Sequence, residues 1–267
     1  MTVRVTACGN PSLPALVLVH GWGHSSGVWD ALLPTLQKHF YVQCVDLPGY
    51  GCTENGGTDV CDNSATQWQL DSLLQDLATL PPAIWCGWSL GGLLATRLAT
   101  VEPQRVTGLV TIASNPVFVE KPTWLMAMPS EEYQQFVNSV GRDARTTVSR
   151  FLSLVCQGAA TSRADSRVLK KIVAAVKMPS PAILQASLQC LNTLDTRSDI
   201  TALKVPQHHL LGEHDALIPV AVAKAISGLN NRAKVSVIAG AGHAPLLSHP
   251  HVVVDALLAM TQGLNDE

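Results

Sequence analysis

The sequence predicts an α/β fold with a mostly parallel central sheet, helices on both of its faces and an inserted helical segment. Short apolar runs alternate with stretches of helical periodicity from residue 15 to residue 113, which is the pattern of parallel strands buried on both faces. Between residues 117 and 194 only helices are indicated, and the alternation resumes near residue 205. Such alternation is typical of a parallel sheet covered by helices.

The composition is that of one large domain, or of one domain with an insertion. Of the 267 residues, 47% are hydrophobic and 14% are charged, so the chain can bury a large core. The first residues lack an apolar leader, and no apolar run approaches the ~18 residues of a membrane span. The seven cysteines are scattered and odd in number, which is typical of reduced thiols. We therefore expect a cytoplasmic monomer without a membrane partner.

Residues 1–116 are predicted to form the first part of the core. Strands are expected at 3–7, 15–19, 41–45, 83–86 and 106–113, and helices at 28–38, 67–80 and 92–99. Leu70, Leu73 and Leu77 recur at helical spacing, and Pro81 ends that helix. The polar residues 52–66 are expected to form a loop.

Residues 117–194 are predicted to be an inserted helical lid that separates core residues 1–116 from core residues 195–267. Four helices are expected there, at 131–140, 144–156, 163–177 and from 181 to about 194. Ser130 and Asp143 are candidate N-caps, Ser162 with Asp165 resembles a capping box, and Pro181 suits a first helical position. Their place in the pattern indicates a lid over the carboxyl edge of the sheet.

In the second part of the core, strands are predicted at 205–211 and 234–238 and helices at 219–229 and 252–262.

Binding sites of parallel sheets form beyond the carboxyl ends of the strands, so the residues that follow the strands are the candidates for function. These residues are His20, Asp46, Ser89, Asn115, Asp215 and His243.

The sequence Gly87-Trp88-Ser89-Leu90-Gly91 lies between a predicted strand and a predicted helix. A serine between two glycines at such a turn holds its hydroxyl in a strained, exposed position, because a Cβ at either glycine would crowd the backbone. The alternative is that Ser89 only caps the helix. The motif alone is weak evidence, so its interpretation depends on the rest of the chain.

Ser89, Asp215 and His243 follow predicted strands in the order of the α/β-hydrolase fold. An imidazole can take the proton of the serine and return it to the leaving group, while a carboxylate fixes the tautomer of the imidazole. These three residues are therefore the candidate catalytic set, with a turn role as the alternative for His243. Other candidates for the acid are Glu213, Asp195 and Asp199.

The same geometry predicts an oxyanion hole formed by the backbone N–H groups of Leu90 and Trp22. Leu90 directly follows the serine, and Trp22 follows the strand end at His20. We expect the His20 ring to bond the backbone of this loop instead of taking part in catalysis.

No cofactor and no metal are expected. No G-x-G-x-x-G follows a strand, and no glycine-lysine pair is available for a phosphate loop. Several histidines lie close together in the sequence without a known metal-binding spacing; they are His208, His209, His214, His249 and His251.

Four motifs resemble those of the α/β-hydrolase superfamily: His20-Gly21-Trp22-Gly23, residues 46–51, residues 87–92 and Gly242-His243-Ala244-Pro245. The particular residues in these motifs are specific to a narrower family: Gly-Trp-Ser-Leu-Gly-Gly surrounds Ser89, and Ser248-His249-Pro250 follows the last motif. In these residues, and in segments 146–152, 169–171 and 178–179, the chain resembles the pimeloyl-[acyl-carrier protein] methyl ester esterase family of biotin synthesis.

The resemblance implies a serine carboxylesterase that hydrolyses the methyl ester of a pimeloyl chain carried by acyl carrier protein. It implies an acyl pocket along Trp22, Ser89, Leu90, Phe151, Leu152, Ser153, Leu154, Val155 and His243. It also implies that Arg150, Arg163 and Arg167 lie on the surface that meets the carrier protein. The chain departs from the family at Thr146, where another arginine is expected.

The charge distribution indicates an anionic partner independently of the resemblance. Residues 142–177 hold eight Lys or Arg and two Asp, a net charge of +6, while the whole chain carries −2 and the remainder therefore −8. Arg163, Arg167, Lys170 and Lys171 fall on one face of a predicted helix, which adds Lys170 to the candidate docking residues. An ordinary solvated helix face is the alternative. The overall acidity argues against nucleic acid as a partner.

Two other functions stay open on the residues alone. One is a broader short-chain esterase or C–C bond hydrolase of the same fold with an undedicated pocket. The other is a ligand-binding module without turnover, against which the complete Ser-Asp-His set argues. A dehalogenase or epoxide hydrolase is disfavoured because those enzymes have an aspartate at the position of Ser89.

Overall fold

A seven-stranded sheet forms the centre of the protein in the computed structural model, which describes residues 3–52 and 65–263. The strands are β1 (Arg4–Cys8), β2 (Ala15–Val19), β3 (Tyr41–Asp46), β4 (Ala83–Trp88), β5 (Val106–Ile112), β6 (Gln207–Gly212) and β7 (Lys234–Ile238). They lie in the order β1-β3-β2-β4-β5-β6-β7. Strand β1 is antiparallel to β3, and every other neighbouring pair is parallel. The predicted fold class is confirmed.

The strand predictions agree with the structure to within two residues, and β2 and β7 have the predicted bounds. Strands β2 to β6 are almost wholly buried, because helices cover both faces of the sheet. This double burial explains why these strands appear in the sequence as continuous apolar runs. Strand β6 starts later than expected, after Pro206, which has no N–H to donate to a neighbouring strand.

Eleven α-helices are found in the described ranges. They are α1 (Leu33–Leu36), α2 (Leu70–Leu77), α3 (Leu90–Val101), α4 (Ser130–Arg142), α5 (Ala144–Val155), α6 (Ser162–Ala174), α7 (Pro181–Thr193), α8 (Arg197–Ala202), α9 (Val222–Leu229), α10 (Pro245–Ser248) and α11 (Pro250–Gly263). The single helix predicted at 28–38 is wrong: a 3-10 turn (Ser26–Trp29) and α1 replace it. Pro34 explains the break, since proline is tolerated in the first turn of a helix and not in its interior.

Helices α4 to α7 lie between β5 and β6 in the chain and correspond to the four helices predicted in the inserted segment. Asp143 caps α5 as predicted, accepting a hydrogen bond from the Thr146 N–H at 3.0 Å. The cap of α6 is Thr161, whose hydroxyl donates to Asp165, so the capping box predicted at Ser162 is wrong by one residue. Helix α6 also ends before residue 177, and the Lys177 N–H instead donates to the Cys52 carbonyl.

Most cysteines of the described chain carry free thiols: Cys8, Cys44, Cys86, Cys156 and Cys190. The expectation of reduced thiols is confirmed there and wrong at Cys52, which is disulfide-bonded. Burial raises the pKa of Cys44 and Cys190 to about 12, so neither is a thiolate near neutral pH.

Cys61 and most of the loop predicted at 52–66 lie outside the described residues. No described helix is long and apolar enough to cross a bilayer.

Arg4 and Asp46 connect the antiparallel edge strand β1 to the loops at the carboxyl end of the sheet. Asp46 is 1% exposed. Its carboxylate accepts hydrogen bonds from Arg4 Nε at 3.1 Å and from the Ser26 N–H at 2.7 Å, and the Arg4 guanidinium also donates to the Gly51 carbonyl. One buried carboxylate therefore holds β1, β3 and the segment after β2 together.

Replacing Asp46 with alanine is expected to lower the free energy of unfolding by about 2–4 kcal/mol, because a guanidinium and a backbone N–H lose their acceptor. Urea denaturation followed by circular dichroism measures this change. Asp255 of α11 is the control, since it is exposed and makes no hydrogen bond or ion pair with a described residue. Asp255→Ala should change stability by less than about 0.5 kcal/mol, and equal effects at both sites would contradict the role of Asp46.

Candidate active site

Ser89 lies at the sharp turn between β4 and α3, where its backbone has φ 53° and ψ −116°. This conformation costs a non-glycine residue about 1–3 kcal/mol. Strand β5 and the residues after it stabilise the turn: the Ser89 N–H donates to the Ile112 carbonyl at 2.8 Å, and the Ser114 hydroxyl donates to the Ser89 carbonyl at 2.5 Å. The Ser89 side chain makes no capping hydrogen bond, so a role as a simple N-cap is not supported.

Gly87 and Gly91 permit this turn because other backbone groups pass too close for a side chain. A Cβ on Gly87 would overlap the Gly91 carbonyl, and a Cβ on Gly91 would overlap the Val19 carbonyl. The first turn of α3 is therefore packed directly on the end of β2. This contact brings the residues after Ser89 next to the loop that starts at His20.

His243, in the loop after β7, forms a hydrogen bond with Asp215, in the loop after β6. The distance from His243 Nδ1 to Asp215 Oδ2 is 2.8 Å, and both side chains are 1% exposed. Asp215 Oδ1 accepts the N–H groups of Leu217 and Ile218 at 2.8 and 3.0 Å. An ionised carboxylate can only accept hydrogen bonds, so it fixes the His243 tautomer with the proton on Nδ1.

The three alternative carboxylates lie elsewhere in the described structure. Glu213 is about half exposed and accepts the Gly240 N–H at 2.9 Å. Asp195 pairs with Arg197 at 2.7 Å, and Asp199 pairs with Arg97 at 3.0 Å. Asp215 is thus the acidic side chain that the structure brings to His243.

Trp88 holds the backbone of His243 beside the serine. Its indole N–H donates to the His243 carbonyl at 2.8 Å, and the two rings lie 5.9 Å apart. His243 Nε2 is buried and has no hydrogen-bond partner among the described residues. The site therefore presents an imidazole with one nitrogen bound to a carboxylate and the other free to take a proton.

The backbone N–H groups of Trp22 and Leu90 donate to no other group of the described chain, as two oxyanion donors require. Gly21 approaches the serine so closely that a Cβ there would lie 3.2 Å from Ser89 Cβ. His20 holds this loop as predicted: its ring contacts the Gly21 carbonyl at 2.8 Å and accepts the Leu47 N–H at 3.1 Å. Burial lowers the pKa of His20, which keeps the ring neutral.

Aromatic side chains from the core and the inserted helices meet above this loop. We call Trp22, Phe136 and Phe151, whose rings contact one another, and Trp88, which His24 connects to Phe151, the aromatic cluster. The ring of Trp22 lies 5.1 Å from that of Phe136 and 4.9 Å from that of Phe151, both edge-on, and its indole N–H donates to the Leu184 carbonyl at 3.0 Å. Helices α4, α5 and α7 therefore all contact the loop that carries a candidate oxyanion donor.

The residues predicted to line the acyl pocket at 151–155 lie on different faces of α5. Successive helical residues point about 100° apart, so five in a row cannot share one face. Phe151 contacts Trp22, whereas Ser153 is exposed and donates to the Ser149 carbonyl at 3.2 Å. Leu152 lines a groove between α5 and α6, Leu154 is half-buried and Val155 is buried. Ser153 therefore lies on a different face of α5 from Phe151, which is the member of this set that reaches the aromatic cluster.

The predicted docking residues lie on the outer surface of the inserted helices. They are exposed, and none forms an ion pair with a described carboxylate: Arg150, Arg163, Arg167 and Lys170. The last three line a groove of about 330 Å³ with Ser153, and Arg150 lies one helical turn before Ser153 on α5. Lys170 also borders the neighbouring groove of about 580 Å³, with Arg145 and Lys177. We call these two grooves and the four docking residues the cationic surface.

The comparisons with known proteins agree with this geometry. The α/β hydrolase fold family matches residues 14–250. The chain is 39% identical over 250 residues to the pimeloyl-[acyl-carrier protein] methyl ester esterase of Edwardsiella ictaluri, and 40% identical over 251 residues to that of Cronobacter sakazakii; each match covers 93% of both chains. The chain belongs to this esterase family of α/β hydrolases. The resemblance predicted from the motifs is thereby confirmed.

Solved structures agree on the fold of this esterase-family chain. A hydrolase from Oleispira antarctica superposes with a TM-score of 0.81 at 17% identity, over 97% of this chain and 94% of the other. At that identity the likeness concerns the fold alone. Among the described residues no group of three or more His, Cys, Asp or Glu side chains could hold a metal ion.

Sequence reasoning missed two residues of this site, His24 and Phe136. Both lie at positions that carry no motif signal, one in a loop and one on a helix distant in sequence. Their place beside Trp22 and Trp88 depends on how the inserted helices pack on the core. An aromatic residue on the apolar stripe of α4 was the one available signal for Phe136.

Gly91→Ala is expected to destabilise this family member by at least about 2 kcal/mol, because the added Cβ meets the β2 backbone, which cannot move away cheaply. Gly228 of α9 is a matched control, since a Cβ there would meet nothing within 4 Å. Gly228→Ala should leave stability unchanged or raise it by up to about 1 kcal/mol. Chemical denaturation of both variants tests this contrast, and similar stabilities would refute the close approach at Gly91.

Proposed function

We propose that this chain is a serine carboxylesterase that hydrolyses the methyl ester of pimeloyl-acyl carrier protein to the free carboxylate and methanol in biotin synthesis. The observation that carries the chemistry is the pairing of His243 with Asp215, which leaves Nε2 free. Trp88, the residue before Ser89, bonds the His243 carbonyl and so connects this pair to the strained Ser89 turn. The particular ester is inferred from relatives 39–40% identical that bear this name.

Ser89, Asp215 and His243 are assigned the catalytic roles. Ser89 Oγ attacks the ester carbonyl carbon while His243 Nε2 takes its proton. Asp215 stabilises the imidazolium that forms. The tetrahedral intermediate then expels methanol, which receives that proton, and an acyl-enzyme remains. Water attacks the acyl-enzyme with His243 again as the base, and the carboxylic acid leaves with Ser89 restored.

The Trp22 and Leu90 N–H groups are assigned to the oxyanion of both tetrahedral intermediates. Two backbone donors that are fixed before the reaction cost no reorganisation as charge develops, and losing one such donor typically costs about 10²–10³ in rate. The close approach of Gly21 to Ser89 supports this assignment, because it brings the Trp22 loop beside the nucleophile. The aromatic cluster is assigned to the apolar acyl chain, with Phe151 as its contact from α5.

We assign residues 117–194 to a lid that covers the site. We assign the cationic surface of this lid to the docking of the acidic carrier protein. The contact of Phe136 and Phe151 with Trp22 supports the lid. The docking assignment is supported by cations that are exposed and unpaired in the described structure, on a segment whose charge is opposite to that of the remaining chain. Charge complementarity of this kind steers association. The cytoplasmic location and the monomeric state stay predictions from the sequence.

Ser89→Ala is expected to lower the turnover of pimeloyl-acyl carrier protein methyl ester by about 10⁴-fold or more, since the nucleophile is removed. Mass spectrometry of the carrier protein detects the loss of the methyl group. Ser227→Ala in α9 is the control, because that hydroxyl is exposed and bonds only the Ala223 carbonyl. Undetectable turnover by the wild-type protein, or unchanged turnover in Ser89→Ala, would rule out the proposed function.

Reversing the charge of Arg150, Arg163, Arg167 and Lys170 to Glu together is expected to lower kcat/KM for the carrier-linked ester by about 10–100-fold, mainly through KM, because steering is lost. A small dimethyl ester of pimelate should be hydrolysed at an unchanged rate. Four exposed cations outside the inserted helices give the charge-matched control when they are reversed together: Lys38, Lys204, Lys224 and Arg232. Equal losses on both substrates would exclude a docking role and favour a broader esterase.

A further inference from the structure

His24 is a buried polar residue in the middle of the apolar part of this site. It lies two residues after Trp22, in the loop that follows β2, and is 3% exposed. Its ring is 4.6 Å from that of Trp88 and 6.3 Å from that of Phe151. It thus connects Trp88, the residue before Ser89, to the rest of the aromatic cluster.

Neither nitrogen of His24 has a hydrogen-bond partner among the described residues. The other buried histidines of the described core differ in this respect. His20 bonds the Gly21 carbonyl and the Leu47 N–H, and His209 bonds Thr111 and Gln207 at 2.8 and 3.0 Å. Leaving buried polar atoms unpaired is costly in a folded protein. Because His24 lies against Trp88, the residue before Ser89, its two free nitrogens are available to a ligand bound at this site.

The chemistry of the ring limits what that partner can be. Burial, together with the neighbouring His20 and His243, lowers the pKa of His24 well below its usual value, so the ring is neutral with one N–H donor. Ester groups carry oxygen acceptors and no donors. The His24 N–H therefore matches an ester oxygen, while its aromatic surroundings match an apolar chain.

We propose that His24 is a specificity-determining residue of this site, and that its imidazole donates a hydrogen bond to an oxygen atom of the bound ester. The inference rests on the proposed function. It explains why a polar side chain stands in a cluster otherwise built from Trp22, Trp88, Phe136 and Phe151. It also predicts that the residue opposes stability in the free protein and contributes only when substrate is bound.

The test replaces His24 with leucine, which keeps an apolar side chain of comparable size and removes both nitrogens. For the pimelate dimethyl ester, kcat/KM should fall by about 10-fold, the loss expected for one hydrogen bond to a buried group. His24→Gln, which keeps an N–H donor, should recover part of this loss. The melting temperature of His24→Leu should rise by about 2–4 °C, because an unsatisfied buried group is removed.

His209→Leu is the matched control for stability, since that ring is equally buried and both of its nitrogens are bonded. This substitution should lower the melting temperature, opposite in sign to His24→Leu. A lower melting temperature for His24→Leu would show a structural role and overturn the proposal. An unchanged kcat/KM for His24→Leu, with turnover still abolished by Ser89→Ala, would overturn the role of His24 alone. Turnover that survives in Ser89→Ala would overturn the proposed function and this inference together.

Discussion

The backbone strain at Ser89 is the constraint on which the rest of the site depends. A residue with φ 53° stays in that conformation only if its surroundings hold it there. The parallel pairing of β4 with β5 provides this support through the Ile112 carbonyl, and Ser114 adds a second bond. Gly91 then lets α3 begin against β2. Because both neighbouring strands take part, the sheet itself fixes Ser89, the proposed nucleophile.

The site is completed by two parts of the chain with different tasks. The core supplies Ser89, Asp215 and His243 from the ends of β4, β6 and β7. The inserted helices supply Phe136 and Phe151, which pack on Trp22 of the core. The Trp22 indole also bonds the backbone of α7. One side chain thus joins the loop of a candidate oxyanion donor to the inserted helices, so movement of those helices would also move the Trp22 loop.

The buried histidines differ in how many of their ring nitrogens form hydrogen bonds. His20 and His209 are fully bonded and hold loop and strand, and burial lowers the pKa of His209 to about 3. His243 keeps one nitrogen bonded to Asp215 and the other free. His24 has neither nitrogen bonded. An unpaired buried polar atom costs stability. In the proposed function and in the proposed role of His24, the free nitrogens of His243 and His24 offset this cost by bonding substrate.

The sequence by itself determined the strands and the order of the candidate catalytic residues, because doubly buried strands are apolar throughout and the strained turn requires glycines on both sides of the serine. It also determined the charge of the inserted segment. Local signals misjudged the helix around Pro34 and the cap of α6. Only the tertiary structure decided that Asp215 is the acid beside His243, and that His24 lies unbonded against Trp88. These contacts join segments far apart in the chain, and their distances follow from how helices pack on the sheet, which no local pattern encodes.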